Sequence, residues 1–198
     1  MTGMTVAAII LAAGASRRLG QAKQLVVLHG ETMLHRTARL AIEAGCTPVR
    51  VVLGAETEAC LATLQDLDVQ IILNPEWREG MGSSVRAGIA SLPLEVDGAL
   101  LLVCDQPALD SALIVQLLTT HNTAPDRVVA SLYSQIRGIP ALFPKHLFPT
   151  LSELHGDKGA RSMLREGEVL EIPFPEGELD LDRPEDLERL KNSENGIF

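Results

Sequence analysis

A loop near the N-terminus carries residue types that suit a polyphosphate. It follows the apolar run Val6–Leu11. Its sequence is Leu11-Ala12-Ala13-Gly14-Ala15-Ser16-Arg17-Arg18-Leu19-Gly20-Gln21-Ala22-Lys23. Small side chains let backbone amides approach a ligand closely, and the densest basic cluster of the chain (Arg17, Arg18, Lys23) lies in the same loop. The loop has neither Walker spacing nor Gly-x-Gly-x-x-Gly, so it predicts an anion site of another kind.

A carboxylate follows a second apolar run. Ala99–Val103 reads as a buried strand, and Asp105 comes two residues after it, before Gln106 and Pro107. Ligands of open α/β sheets collect at the carboxyl ends of strands. Mg²⁺ usually takes one or two carboxylates together with substrate phosphates and water. Asp105 is therefore a predicted Mg²⁺ ligand, and the alternative is a carboxylate that caps the turn before Pro107.

Two further segments offer polar groups. Gly82 and Ser83 stand in Gly-x-Gly-Ser-Ser at the start of a predicted helix, where free amides and hydroxyls can bind a base or a phosphate. An ordinary serine cap is the alternative there. Asp180 and Asp182 point to one side if their segment is extended, which suits a shared cation. Asp182 as a cap before a helix beginning at Pro184 is equally compatible with the sequence.

The pattern of elements predicts a three-layer α/β sandwich with a mainly parallel sheet. Apolar runs typical of strands buried on both faces alternate with segments of helical spacing. The predicted strands are Val6–Leu11, Val49–Leu53, Val69–Leu73, Ala99–Val103, Val128–Leu132 and Ala141–Phe143. The predicted helices are Thr32–Ala44, Glu56–Leu64, a helix capped by Asp110 and running through Leu118, Lys158–Glu166 and Pro184–Lys191. Residues 1–198 are expected to form one domain with a substantial core.

Composition excludes several classes of function. A net charge of −9 disfavours broad contact with nucleic acid, which needs basic surfaces. The apolar runs are shorter than the ~20 residues of a membrane helix, and no leader precedes the glycine loop, so a cytoplasmic protein is expected. Three cysteines without a Cys-x-x-Cys pair suggest neither a disulfide framework nor zinc.

The motifs together resemble those of the MobA/MocA-like nucleotidyltransferases. The loop matches Leu-Ala-Ala/Gly-Gly-x-Ser-x-Arg-hydrophobic-Gly-x-x-Lys at every fixed position. Further similar blocks are Asn74-Pro75-x-Trp77 with Gly80-Met81-x-x-Ser84, Asp105-Gln106-Pro107, Gly156–Arg161 and Asp180–Leu187. The resemblance implies transfer of CMP or GMP to molybdopterin with release of pyrophosphate, hand-over to a molybdoenzyme client, and Mg²⁺ as cofactor.

The resemblance also implies residue roles. The loop residues Leu11, Ala12, Ala13, Gly14 and Ser16 would wrap the triphosphate. Arg18 and Lys23 would neutralise it, and Gly82 and Ser83 would lie against the nucleoside. Asp105 would bind the metal, joined by Asp180 or Asp182.

The loop favours CTP over GTP as the nucleotide. Leu-Ala-Ala-Gly is similar to the cytidylyl branch, and the methyl group of Ala13 would narrow the space beside the base. Ile139 stands where histidine or asparagine often precedes the proline, and Arg183 replaces a common threonine. These departures leave the phosphorylated acceptor open, and a transferase that acts on a sugar phosphate is one alternative. Two alternatives from other classes are a non-catalytic carrier of the pterin cofactor and, less favoured, a nicotinamide-dependent dehydrogenase.

Overall fold

A twisted seven-stranded sheet organises the protein in the computed structural model, which describes residues 4–16, 18–165 and 167–195. The strands are β1 Val6–Ala12, β2 Val27–Leu28, β3 Glu31–Thr32, β4 Val49–Leu53, β5 Gln70–Leu73, β6 Gly98–Val103, β7 Val128–Tyr133, β8 Ile136–Pro144 and β9 Val169–Pro173. The sheet order is β5-β4-β1-β6-β8-β7-β9. Only β8 runs antiparallel to its neighbours β6 and β7, while the other pairs in this sheet are parallel. β2 and β3 form a separate antiparallel pair.

Helices cover both faces of the sheet. They are α1 Met33–Glu43, α2 Thr57–Ala62, α3 Met81–Ala90, α4 Ser111–Thr123, α5 Phe148–Leu151, α6 Arg161–Arg165 and α7 Pro184–Asn195. Alternate residues of β1 enter two different cores: Ile10 packs with α1 and α4, and Ile9 packs with α3 and α6. Burial on both faces is the reason that all seven residues of β1 are buried and apolar. The predicted three-layer α/β fold is confirmed.

Several element boundaries differ from those predicted. β8 extends from Ile136 to Pro144, whereas only Ala141–Phe143 was expected, and β2, β3 and β9 were not predicted. The predicted helix Lys158–Glu166 is shorter, because 156–158 form a 3-10 turn before α6 begins at Arg161. Glu166 lies outside the described residues. The predicted cap is confirmed: the Asp110 carboxylate accepts a hydrogen bond from the Leu113 amide at 2.8 Å.

The direction of the strands brings the predicted site residues together at the carboxyl ends of β1 and β6. β1 and β6 are adjacent and parallel, so the loop after β1 and the carboxylate after β6 emerge side by side. Among the described residues, no helix is both long enough and apolar enough to cross a membrane. The three cysteines of the chain are free and buried.

Candidate active site

A cavity of about 910 Å³ opens at the carboxyl ends of β1 and β6. We call it the larger cavity. The predicted residues that line it are Leu11, Ala13, Gly14, Ser16, Arg18, Lys23, Asp105 and Asp182. The turn before α3 and the first turn of that helix also line it, with Trp77, Arg78, Gly80, Met81 and Ser84. Segments far apart in sequence therefore meet in one concave site.

Three predicted residues lie behind the wall of this cavity. Ala12 is buried in β1. Ser83 is also buried, and its hydroxyl donates to the Gly80 carbonyl at 2.9 Å and accepts from Asn74 at 2.9 Å. Gly82 packs against the backbone of His155, where a Cβ atom would come within 2.9 Å. Ser84, one position further along α3, is the serine that faces the cavity.

The loop after β1 is held in shape by Gln24, a buried residue that the sequence did not single out. Its amide nitrogen donates to the carbonyl oxygens of Ala12 at 2.8 Å and Gly14 at 2.6 Å. Its amide oxygen accepts from the Ser16 hydroxyl at 3.3 Å, and that hydroxyl accepts from the Lys23 amide at 3.1 Å. These bonds fix Ser16 in the left-handed region at φ 48°. The loop is therefore preorganised around its own backbone.

Charged side chains converge at the floor of the larger cavity. The Lys23 ammonium is in direct contact with the Asp105 carboxylate and lies 3.4 Å from Asp182, whose other oxygen is 3.6 Å from Arg18. Burial opposes the charge on Lys23, but the carboxylates of Asp105 and Asp182 outweigh it and raise the pKa of the ammonium. Lys23 is therefore a permanent cation at neutral pH. Arg17, the third member of the basic cluster, lies outside the described residues.

The donor set at this point fits a hard divalent cation. Asp105 and Asp182 already share one cation, the Lys23 ammonium, so their carboxylates face a common point. The described residues contain no cluster of three or more His, Cys, Asp or Glu side chains that would enclose a metal ion by themselves. Mg²⁺ commonly binds through one or two carboxylates and completes its shell with substrate phosphates and water. The arrangement suits a metal that arrives with a polyphosphate.

A second cavity, of about 570 Å³, adjoins the first at Asp105. We call it the smaller cavity. Its polar lining includes Arg161, Arg165, Gln106, Tyr133 and Asp180. Burial, followed by the negative charge of Asp105, raises the pKa of the Asp180 carboxyl to about 7. Asp180 and Asp182 therefore line different cavities, and the expected placement of both carboxylates on one side of an extended segment is wrong: the Asp182 amide donates to the Asp180 carbonyl at 3.1 Å, so the segment turns at Leu181.

The Arg86 side chain connects two segments that lie beside the cavities. Arg86 of α3 donates to Glu79 at 2.6 Å and to the Leu154 carbonyl at 2.5 Å. Its guanidinium also lies 3.1 Å from His155. Asp157, just beyond, lines both cavities. The turn before α3 and the segment 154–157 are therefore joined at one side chain.

Comparison with a family model identifies the family of the chain. Residues 8–171 match the model described as MobA-like NTP transferase domain. The matched region spans β1 to β9 and includes the loop, Asp105 and the turn before α3.

Relatives with different names are similar to this chain. Nicotine blue oxidoreductase of Paenarthrobacter nicotinovorans is 35% identical over 81% of this chain and 82% of its own length. Purine catabolism protein PucB of Bacillus subtilis is 30% identical over 93% and 95% of the two chains. Molybdenum cofactor cytidylyltransferase of Escherichia coli is 25% identical over 90% and 92%.

Solved structures share the fold. Rv0371c of Mycobacterium tuberculosis superimposes with a TM-score of 0.83 at 27% identity, covering 96% of this chain and all of the other. A structure of Rv0371C described as a complex with manganese gives a TM-score of 0.77 at 27% identity with the same coverage. A divalent metal has therefore been observed with a protein of this architecture.

Proposed function

Because the chain belongs to the MobA-like NTP transferase domain family, we propose that it transfers CMP from CTP to molybdopterin and releases pyrophosphate. It is a nucleotidyltransferase by family; the nucleotide, the acceptor and the metal are our proposal. The observation that carries it is the cluster of Arg18, Lys23, Asp105 and Asp182 where the two cavities meet. Two cations and two carboxylates at this junction suit a triphosphate with its metal.

The larger cavity is the proposed site for Mg·CTP. Its loop presents Gly14 and Ser16 to the phosphates, and Arg18 and Lys23 supply positive charge. Ala13 lines the cavity as well, and in the proposed complex its methyl group would take space that a glycine would leave beside the base. Because alanine leaves less room beside the base than glycine, the smaller pyrimidine base is favoured, which supports CTP.

The smaller cavity is the proposed site for the acceptor. Arg161 and Arg165 line it and provide positive charge for a phosphate, while Tyr133 and Ile139 provide a flat and an apolar surface. Asp105 lies on the boundary of both cavities, so an acceptor phosphate here would approach the α-phosphate of the nucleotide. This arrangement supports an acceptor with a terminal phosphate and a ring system, as in molybdopterin.

The proposed reaction is in-line attack by an oxygen of the acceptor phosphate on the α-phosphorus. A new P–O bond forms as the bond between the α-phosphorus and the bridging oxygen breaks, and pyrophosphate leaves with the electron pair. The attacking phosphate is already an anion, so these residues need not include a general base. Arg18 and Lys23 would offset the charge that grows on the leaving pyrophosphate.

Positioning supplies the rest of the rate enhancement. Gln24 keeps the loop in place, and the neighbouring cavities would hold the two substrates side by side. Mg²⁺ held by Asp105 with Asp182 or Asp180 would supply Lewis acid chemistry at the phosphates.

The deciding experiment is pyrophosphate release from CTP and from GTP, each with and without molybdopterin. The proposal expects release that requires CTP, Mg²⁺ and molybdopterin together. Asp105→Asn should abolish it, whereas Asp126→Asn, exposed before β7 at the other end of the sheet, should not. Release with GTP alone would reassign the nucleotide. A sugar phosphate that replaces molybdopterin would reassign the acceptor, and tight pterin binding without release would indicate a carrier.

A reductase activity is the competing function, since one relative is named as an oxidoreductase and is 35% identical. Such an enzyme needs a hydride donor, and the loop after β1 lacks the Gly-x-Gly-x-x-Gly sequence that commonly binds NAD. Titration with NADH and NADPH, followed by fluorescence, separates the two functions. Binding at micromolar concentration with no pyrophosphate release from CTP would replace our proposal.

A further inference from the structure

We propose that Lys23 and a divalent cation compete for the same two carboxylates, so that metal binding releases Lys23 to the triphosphate. This inference rests on the proposed function only in placing a metal and a triphosphate in the larger cavity. It assigns Lys23 two successive partners, first Asp105 with Asp182 and then phosphate.

The contacts of Lys23 are those that a metal ion would need. Its ammonium touches Asp105 and lies 3.4 Å from Asp182. The Asp105 side chain is only 14% exposed, so few directions remain from which a second cation could reach its oxygens. A compact ammonium and a divalent ion cannot occupy the same point between the two carboxylates. Binding of the metal must therefore displace the lysine side chain.

The backbone around this contact is fixed, which confines the movement to the side chain. The Lys23 amide donates to the Ser16 hydroxyl at 3.1 Å. On the other side, the Leu181 amide donates to the Asp105 carbonyl at 2.9 Å, and Leu181 is buried. The lysine side chain has a flexible four-carbon stem, so rotation about its bonds can move the ammonium away from the carboxylates without moving the loop. Ser16 and Gly14 line the cavity into which it would swing.

The exchange makes metal and triphosphate binding mutually favourable. A triphosphate that binds before the metal finds Lys23 already paired with the two carboxylates, and their negative charge repels it. A metal that replaces Lys23 neutralises the carboxylates and leaves the ammonium available for phosphate. Each ligand therefore strengthens binding of the other, as linkage requires.

The first test measures Mn²⁺ binding alone, from the electron paramagnetic resonance signal of free Mn²⁺. Lys23→Met should bind Mn²⁺ at least roughly tenfold more tightly than the unaltered protein, because the competing cation is gone. Lys145→Met is the matched control. It removes the same charge from an exposed position directly after β8, next to the start of β6 and so at the end of the strands away from the two cavities. Equal or weaker Mn²⁺ binding by a folded Lys23→Met protein, or an equal gain in Lys145→Met, would overturn the inference.

The second test uses the unaltered protein, so it does not depend on the variant folding. Acetylation of Lys23 by an N-hydroxysuccinimide ester, followed by mass spectrometry, should accelerate at least roughly threefold when Mn²⁺ is added, with Lys145 as internal reference. An unchanged or slower rate at Lys23 contradicts displacement. Failure of the proposed function is distinct: it would appear as absent pyrophosphate release, whatever the Mn²⁺ affinity.

Discussion

Leu181 and Asp105 are 76 residues apart, yet the Leu181 amide donates to the Asp105 carbonyl at 2.9 Å. This hydrogen bond attaches the segment before α7 to the end of β6. Leu181 is 2% exposed and packs with Leu19 and Met33 in a small separate core. The same core includes a residue of the glycine loop, so the loop and Asp182 are positioned by one apolar anchor.

Leu181→Ala should therefore damage both stability and nucleotide binding. Loss of a buried leucine costs about 2–5 kcal/mol of unfolding free energy. The KM for Mg·CTP should rise, because Asp182 loses its anchor. Chemical denaturation and steady-state kinetics measure the two effects. Leu179→Ala is the control, since Leu179 is 58% exposed two residues earlier. A stability loss with unchanged KM would show that the anchor does not position Asp182.

Gln24→Met tests whether the loop is preorganised. The substitution keeps the approximate volume but leaves the carbonyls of Ala12 and Gly14 without this donor. A buried polar group left without its partner costs about 1–3 kcal/mol, so the melting temperature should fall by roughly 2–10 °C. Affinity for CTP should fall at least roughly tenfold as the loop loosens. Gln116→Met, at an exposed position of α4, should change neither. Unaltered CTP affinity would contradict the assigned role.

The fold was largely predictable because its central strands are buried on both faces. β1, β4 and β6 are nearly continuous apolar runs, and this burial leaves a clear signal in the sequence. In β9 the exposed residues Glu171 and Pro173 alternate with partly buried ones, and β2 and β3 have two residues each. The interrupted apolar pattern of β9 and the short length of β2 and β3 explain why these strands gave no comparable signal.

The site was predictable only where motif spacing carries the information. The loop and Asp105 come together in one cavity because β1 and β6 are neighbours. Ser83 and Ser84 could not be distinguished, since one step of about 100° around the helix axis decides which hydroxyl meets the cavity. The bonds of Gln24 depend on how the loop folds back on itself, and no spacing encodes them.

The stability of the protein should depend on pH through His35. Burial opposes protonation of this imidazole, but its bonds with Glu31 at 2.9 Å and Asp66 at 3.2 Å raise its pKa above the usual value of about 6.5. A group whose pKa is raised on folding stabilises below the unfolded pKa and loses that contribution as pH rises through the folded pKa. The melting temperature of His35→Gln should therefore fall furthest below that of the unaltered protein near pH 6, and less at pH 9. His146→Gln, in an exposed turn, is the control. A difference that is constant with pH would contradict this assignment.

Gly14→Ala separates ligand binding from folding. A Cβ atom at Gly14 would meet nothing within 4 Å, so the unfolding free energy should change by less than about 0.5 kcal/mol. The new methyl group would nevertheless project where the loop approaches phosphates, and CTP affinity should fall at least roughly tenfold. Calorimetric titration with Mg·CTP and thermal melting measure both quantities on one sample. Full CTP affinity in this variant would place the triphosphate elsewhere.

Arg86→Gln should weaken substrate binding in both cavities. Arg86 joins Glu79, in the turn facing the larger cavity, to the Leu154 carbonyl, which precedes Asp157 at the boundary of both cavities. Glutamine cannot span these partners with a rigid charged fork. The KM values for CTP and for the acceptor should therefore both rise, by roughly three- to thirtyfold. Arg127→Gln removes a comparable pair with Glu168 away from the site and should leave both KM values unchanged. If Arg86→Gln raises only one KM, the turn and the segment 154–157 act independently, and each cavity is then shaped by its own wall.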